Sequence, residues 1–147
     1  MRVGIISGYF NPIHTGHLDY IEAAKQKCEL LYVIVNSDSQ VNIKGSKQFM
    51  DEGSRLRIVR ALHCVQRAMV SIDEDSTVCR SIKAIHKEYC DDPIVTDIFF
   101  MNGGDRGQGT VLEADTCEEL NIKMVYNVGG TKTESSSTLL QKVANEK

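Results

Sequence analysis

The apolar positions of this chain fall into two alternating rhythms. Residues 1–7 (MRVGIIS), 30–36 (LLYVIVN) and 94–101 (IVTDIFFM) are short, dense and rich in β-branched side chains, as strands buried on both faces are. Residues 68–72 and 122–127 read as two further short strands. Between these runs apolar residues recur at helical spacing: over 18–27, over 51–65, from the capping candidates at 74–77 through Tyr89, and over 111–120. In the second of these Leu56, Val59, Leu62 and His63 share a face, and in the third Val78, Ile82 and Ile85 do. A last helix opens at Ser135, Ser136, Ser137 and Thr138, with Leu139, Leu140 and Val143 as its apolar side. Segment 41–49 shows no clear period and reads as a mobile loop carrying two cations, Lys44 and Lys47. Strand and helix patterns alternating at this spacing predict a doubly wound α/β fold with a parallel five-stranded sheet and right-handed crossovers. A strand order of 3-2-1-4-5 would put the reversal of order, and hence the ligand crevice, between the first and fourth strands.

Composition narrows the function classes. At 147 residues and 41% hydrophobic the chain suits a single domain, 1–147, around one sizeable core. A net charge of -3 and the lack of any long basic stripe argue against nucleic acid as the partner, and a small anion needs only a few local cations. No run approaches membrane-spanning length and none has the shape of a signal peptide, so the expectation is a cytoplasmic protein that binds no membrane. The five cysteines are spread widely without a CxxC pair and read as free thiols; a zinc group of Cys79, His86 and Cys90 fits no common spacing.

The chemistry concentrates at three junctions. The first is GYFNPIHTGH, from Gly8 to His17, between the opening strand and the first helix. Unpaired backbone N–H groups and the positive end of a helix dipole favour an anion there, and the imidazoles of His14 and His17 add donors. The second is NGGDRG, residues 102–107, after the fourth strand: Gly103 and Gly104 allow close approach of a ligand, Asp105 accepts from hydroxyls and Arg106 reaches phosphate. The third is the Ser136–Ser137–Thr138 helix start, whose hydroxyls either cap the helix or hold a terminal phosphate. Neither GxGxxG nor GxxxxGK[ST] occurs.

GYFNPIHTGH resembles the GxFxxxHxGH signature of the cytidylyltransferase-like nucleotidyltransferase superfamily, and residues 134–138 are similar to its C-terminal serine-threonine motif. VNSDSQVNIKG, SRLRIVRAL and MNGGDR look most like glycerol-3-phosphate cytidylyltransferase and the adenylyltransferase domains acting on heptose 1-phosphate. The resemblance implies a Rossmann-like sheet and transfer of CMP or AMP from CTP or ATP to a phosphorylated polyol or sugar, with Mg²⁺ held through the nucleotide phosphates and no separate protein metal site. It implies catalytic roles for His14, His17 and Lys44. Gly8, Tyr9, Phe10, Gly16, Gly103, Asp105, Ser136, Ser137 and Thr138 would bind nucleotide, and Arg55, Arg106 and Lys132 are candidates for substrate or phosphate contacts, with a structural role for Arg55 equally open. Lys132 stands where the glycerol-phosphate branch has arginine, and a lysine cannot make the same bidentate fork. Proteins of this type are commonly homodimers. The alternative is a catalytically silent nucleotide-binding regulator of the same fold.

Overall fold

A computed structural model describes residues 1–104 and 111–129. Five parallel strands form one sheet in the order β3-β2-β1-β4-β5: β1 (Arg2–Gly8), β2 (Leu30–Val35), β3 (Arg67–Val70), β4 (Asp97–Gly103) and β5 (Lys123–Val128). The helices between them are α1 (Thr15–Lys25), α2 (Asp38–Lys44), α3 (Glu52–Ala61), α4 (Cys79–Tyr89) and α5 (Ala114–Glu119). The doubly wound α/β reading and the 3-2-1-4-5 order both hold.

Alternate residues of the strands feed two cores. Val3, Ile5, Tyr32, Ile34, Ile98 and Phe100 pack on one face with Ile82, Ile85 and Tyr89 of α4 and Cys117 of α5. Ile6, Leu31, Val33, Val35 and Met101 pack on the other with Ile21 and Ala24 of α1 and Val59 of α3. Burial on both faces is why β1 and β2 are almost unbroken apolar runs. All five cysteines are free thiols, and burial raises the pKa of Cys28 and pushes that of Cys117 up to about 12.

The expected loop at 41–49 needs correction, because its first half belongs to α2. Ser37 accepts from Gln40 N while Gln40 reaches back to Ser37 N, a reciprocal cap, and Gly45 closes the helix at φ 77°, a left-handed conformation that suits glycine. Element boundaries also move: α1 begins at Thr15, ahead of the expected 18, and β3 ends at Val70 rather than at 72. α3 ends at Ala61 and leaves His63 exposed, β4 begins at Asp97 after a turn, and α5 starts at Ala114. Of the capping residues expected at 74–77 for α4, Thr77 accepts from Cys79 N at 3.4 Å. Buried Asp73, outside that expected set, takes the next two N–H groups, Arg80 N at 2.6 Å and Ser81 N at 3.0 Å. The last predicted helix lies outside the described residues.

Candidate active site

The β1–β2 ladder runs to Gly8↔Val35, whereas the β1–β4 ladder stops at Ile5↔Phe100 although both strands continue, to Gly8 and Gly103. β1 and β4 therefore part at their carboxyl ends, at the point where strand order reverses, which is where open parallel sheets take ligands. The loop leaving β1 and the residues ending β4 border this gap, and Tyr20 Oη of α1 ties them together by donating to Met101 O at 2.5 Å.

The two histidines are built into the start of α1. His14 is the N-cap residue, in extended conformation, and its Nδ1 accepts from Gly16 N at 3.1 Å; His17 Nδ1 accepts from His14 N at 3.1 Å. A capping box normally uses serine or threonine with glutamate or glutamine. Here both partners are imidazoles, tilted by 31° to each other with centroids 3.9 Å apart. Because each Nδ1 is an acceptor, each ring in its neutral form carries its proton on Nε2. Phe10, buried and at φ 50°, sets its ring edge-on to His17 at 5.0 Å, and a Cβ on Gly8 would lie 2.7 Å from the Phe10 ring. Gly8 is thus the space into which Phe10 fits.

Lys44, the last residue of α2, places Nζ 4.3 Å from the centroid of the Tyr9 ring. The structure thereby brings Lys44 to the histidine loop, across 35 residues of sequence between Tyr9 and Lys44. Asn11 fastens the segment between α2 and α3: its Nδ2 donates to Lys47 O at 2.7 Å and its Oδ1 accepts from Phe49 N at 2.8 Å and Met50 N at 3.2 Å.

Arg55 has a different setting from a phosphate ligand in a crevice. It is 1% exposed. It donates to Met50 O at 3.0 Å, Tyr9 O at 2.9 Å and Asn36 O at 2.5 Å, and it pairs with Asp38 at 2.9 Å. One guanidinium thus braces the histidine loop, the end of β2, the start of α2 and the segment before α3, which is the structural one of its two expected roles.

Two residues outside the expected site set complete the frame. Gln40, fully buried, accepts from Asn36 Nδ2 and Ser37 N and donates to Asp75 O at 2.9 Å and Thr77 O at 2.7 Å, joining α2 to the loop after β3. Asn102, buried just before Gly103, donates to Val125 O at 3.3 Å and holds β4 to β5 at the crevice rim. Only the Ser37–Gln40 capping spacing hinted at Gln40. Of the expected site residues, Gly8, Tyr9, Phe10, His14, Gly16, His17 and Lys44 lie on or against the loop after β1, and Gly103 ends the neighbouring strand. Asp105, Arg106, Lys132, Ser136, Ser137 and Thr138 lie outside the described residues.

Among the described residues no group of three or more His, Cys, Asp or Glu side chains could hold a metal ion, and the gathered groups, imidazole N–H and ammonium, suit phosphate oxygens. No helix among these residues is long and apolar enough to cross a membrane.

The fold is that of a Rossmann-like α/β protein, with the histidine loop at the switch point of its sheet. The sequence model of the Cytidylyltransferase-like family matches residues 5–135, and the chain belongs to that family. It is 30% identical over 136 residues to the bifunctional protein HldE of Geobacter metallireducens, covering 90% of this chain and 25% of that protein. It is 39% identical over 71 residues to the FAD synthase of Methanocella paludicola, covering 48% of this chain and 50% of that protein. The chain thus spans half or less of the length of either relative. Among solved structures, a lipopolysaccharide core biosynthesis protein from Thermoplasma volcanium shares the fold at TM-score 0.68 and 24% identity, over 91% of this chain and 98% of that one.

Proposed function

We propose that this chain, as a single domain over residues 1–147, transfers CMP or AMP from CTP or ATP to a phosphorylated polyol or sugar. A phosphate oxygen of the acceptor attacks the α-phosphorus in line, the new P–O bond forms as the bond to the β-phosphate oxygen breaks, and pyrophosphate leaves. The observation that carries this reading is the pair of capping histidines with Lys44 held against the same loop, at the parted ends of β1 and β4. Negative charge spreads over phosphate oxygens in such a transition state, and preorganised donors stabilise it without reorganising.

His14 and His17 donate from Nε2 to the triphosphate, and Lys44 neutralises the reacting phosphates. Gly8, Tyr9, Phe10 and Gly16 shape the loop. Gly103 and Asp105 meet the nucleoside, Ser136, Ser137 and Thr138 take the β- and γ-phosphates, and Arg106 and Lys132 supply further phosphate contacts. Mg²⁺ would enter on the triphosphate and, when bound, would neutralise charge on the phosphate oxygens. The protein works in the cytoplasm as a homodimer.

The test is to incubate the chain with Mg²⁺, each nucleoside triphosphate in turn and a panel of phosphorylated polyols and sugars, following pyrophosphate. One triphosphate should support release, and His17→Ala should lower kcat by ~100-fold or more. Folded protein that binds nucleotide yet releases no pyrophosphate with any pair would instead identify a nucleotide-binding regulator.

A further inference from the structure

Five large apolar side chains stand exposed among the described residues: Ile43, Phe49, Ile72, Ile94 and Leu112. Ile94 precedes β4 and Leu112 precedes α5, but Ile43, Phe49 and Ile72 all belong to the connections leaving the carboxyl ends of β2 and β3. Single exposed apolar residues need no explanation. Phe49 is different because of how it is held. The residue is 59% exposed, yet its own N–H and the groups on either side of it, Lys47 O and Met50 N, are all bonded to the side chain of Asn11 in the histidine loop. Met50 O is taken in turn by buried Arg55. The backbone is locked to the loop that carries His14 and His17 while the ring faces outward, with Lys47 Nζ 5.8 Å from its centroid.

An exposed aromatic face beside an ammonium recognises an anion attached to a flat body: the ring stacks and the cation meets the charge. We propose that Lys47 and Phe49 form the acceptor subsite and that Phe49 makes the protein prefer a phosphate monoester of a ring compound over one of an open-chain polyol. This rests on the nucleotidyl-transfer reading for its chemistry, though the binding it predicts can be measured without turnover. Lys47 draws in the acceptor phosphate and Phe49 lies along the ring, while Lys44, on the same connection and against Tyr9, serves the nucleotide phosphates. An open chain presents no flat face and gains nothing from Phe49.

The experiment compares the full chain with Phe49→Ala, Phe49→Tyr and Lys47→Ala. Flavin mononucleotide and a pyranose 1-phosphate serve as ring probes and glycerol 3-phosphate as the open-chain probe. Binding of flavin mononucleotide is followed by the polarisation of its own fluorescence, and acceptor KM for all three by pyrophosphate release. Thermal shift with nucleotide reports on the other half of the site. Phe49→Ala should weaken the ring probes about tenfold, the size that loss of one stacking contact gives, with glycerol 3-phosphate and the nucleotide shift unmoved. Phe49→Tyr should restore binding, and Lys47→Ala should weaken ring and open-chain probes together. Failure of the wild-type chain to bind either ring probe overturns the proposal, as does a Phe49→Ala variant that treats ring and open-chain acceptors alike. Absence of pyrophosphate with every acceptor sinks nucleotidyl transfer instead, and the flavin binding comparison then still decides the subsite.

Discussion

At the scale of single residues, the histidine loop is organised by shape as much as by charge. Phe10 sits in the left-handed region, is 1% exposed, and touches both the missing side chain of Gly8 and the edge of His17. The ring that needs Gly8 to be bare is therefore the ring that holds a proposed catalytic imidazole. A methyl group at position 8 would stand 2.7 Å to 3.1 Å from three ring carbons of Phe10, which has no exposed side toward which to retreat. Gly8→Ala is expected to destabilise the fold by about 1–3 kcal/mol, the usual range for overpacking, and to reduce pyrophosphate release through displacement of His17. Urea unfolding measures the first effect and the assay the second. Adding Phe10→Leu to Gly8→Ala should recover part of the lost stability, since the two sites share one volume; strict additivity would show that the ring is not what the methyl group meets.

Among the elements, α2 shows what periodicity can reveal and what it cannot. β1 and β2 were legible because burial on both faces leaves an apolar run that few other structures produce. A seven-residue helix covers under two turns, and the buried residues of α2 are Gln40 and Val41, one of them polar, so no apolar stripe marks it. Its caps, Ser37 with Gln40 and then Gly45, were the only local sign. Gln40 is satisfied in its burial by Asp75 O and Thr77 O, and those bonds exist only once the loop after β3 has folded against α2. The HxGH loop was readable as a site because its chemistry is local, whereas the brace at Arg55 joins residues 9, 36, 38 and 50 and is visible only in three dimensions. A brace and a phosphate ligand respond differently to substitution. Arg55→Lys keeps the charge but cannot span four acceptors with one ammonium. It should cost about 3 kcal/mol in chemical denaturation, in the range for losing buried hydrogen bonds to a charged group, and should raise hydrogen exchange in residues 38–50. A variant as stable as wild type but with weaker nucleotide affinity would return Arg55 to the phosphate.

At the scale of the whole molecule, the ion pairs of the described residues gather at the amino rim of the sheet, apart from Arg55–Asp38. At the amino ends of the strands the charges are paired: Arg2 with Glu29 at 2.6 Å, Lys123 with Asp97 at 2.6 Å, and Arg67 with Glu88. At the carboxyl ends Lys44 lies over the Tyr9 ring and Lys47 over the Phe49 ring, and both belong to the site proposed above. The amino rim serves stability, and its partners hold the pKa values of both Asp97 and Glu29 below the ordinary carboxylate range, with Glu29 at about 2. That carboxylate accepts from Arg2 N at 2.7 Å as well as from the guanidinium, tying the start of β1 to the residue before β2, and these bonds lower its pKa from 4.5 to about 2. A carboxylate with a depressed folded pKa contributes stability that is fully present above the unfolded value and is lost as pH falls through the folded one. Wild type should therefore be more stable than Glu29→Gln at pH 7, and the difference should shrink between about pH 4.5 and about pH 2 as the unfolded chain takes up the proton first. Urea midpoints for both proteins at several pH values across this window give the comparison. High salt leaves the backbone bond to Arg2 N in place while screening the exposed ion pair, so part of the difference should persist in it. Equal midpoints at pH 7 would mean that Glu29 is merely solvated and that β1 is held at its start by the sheet alone.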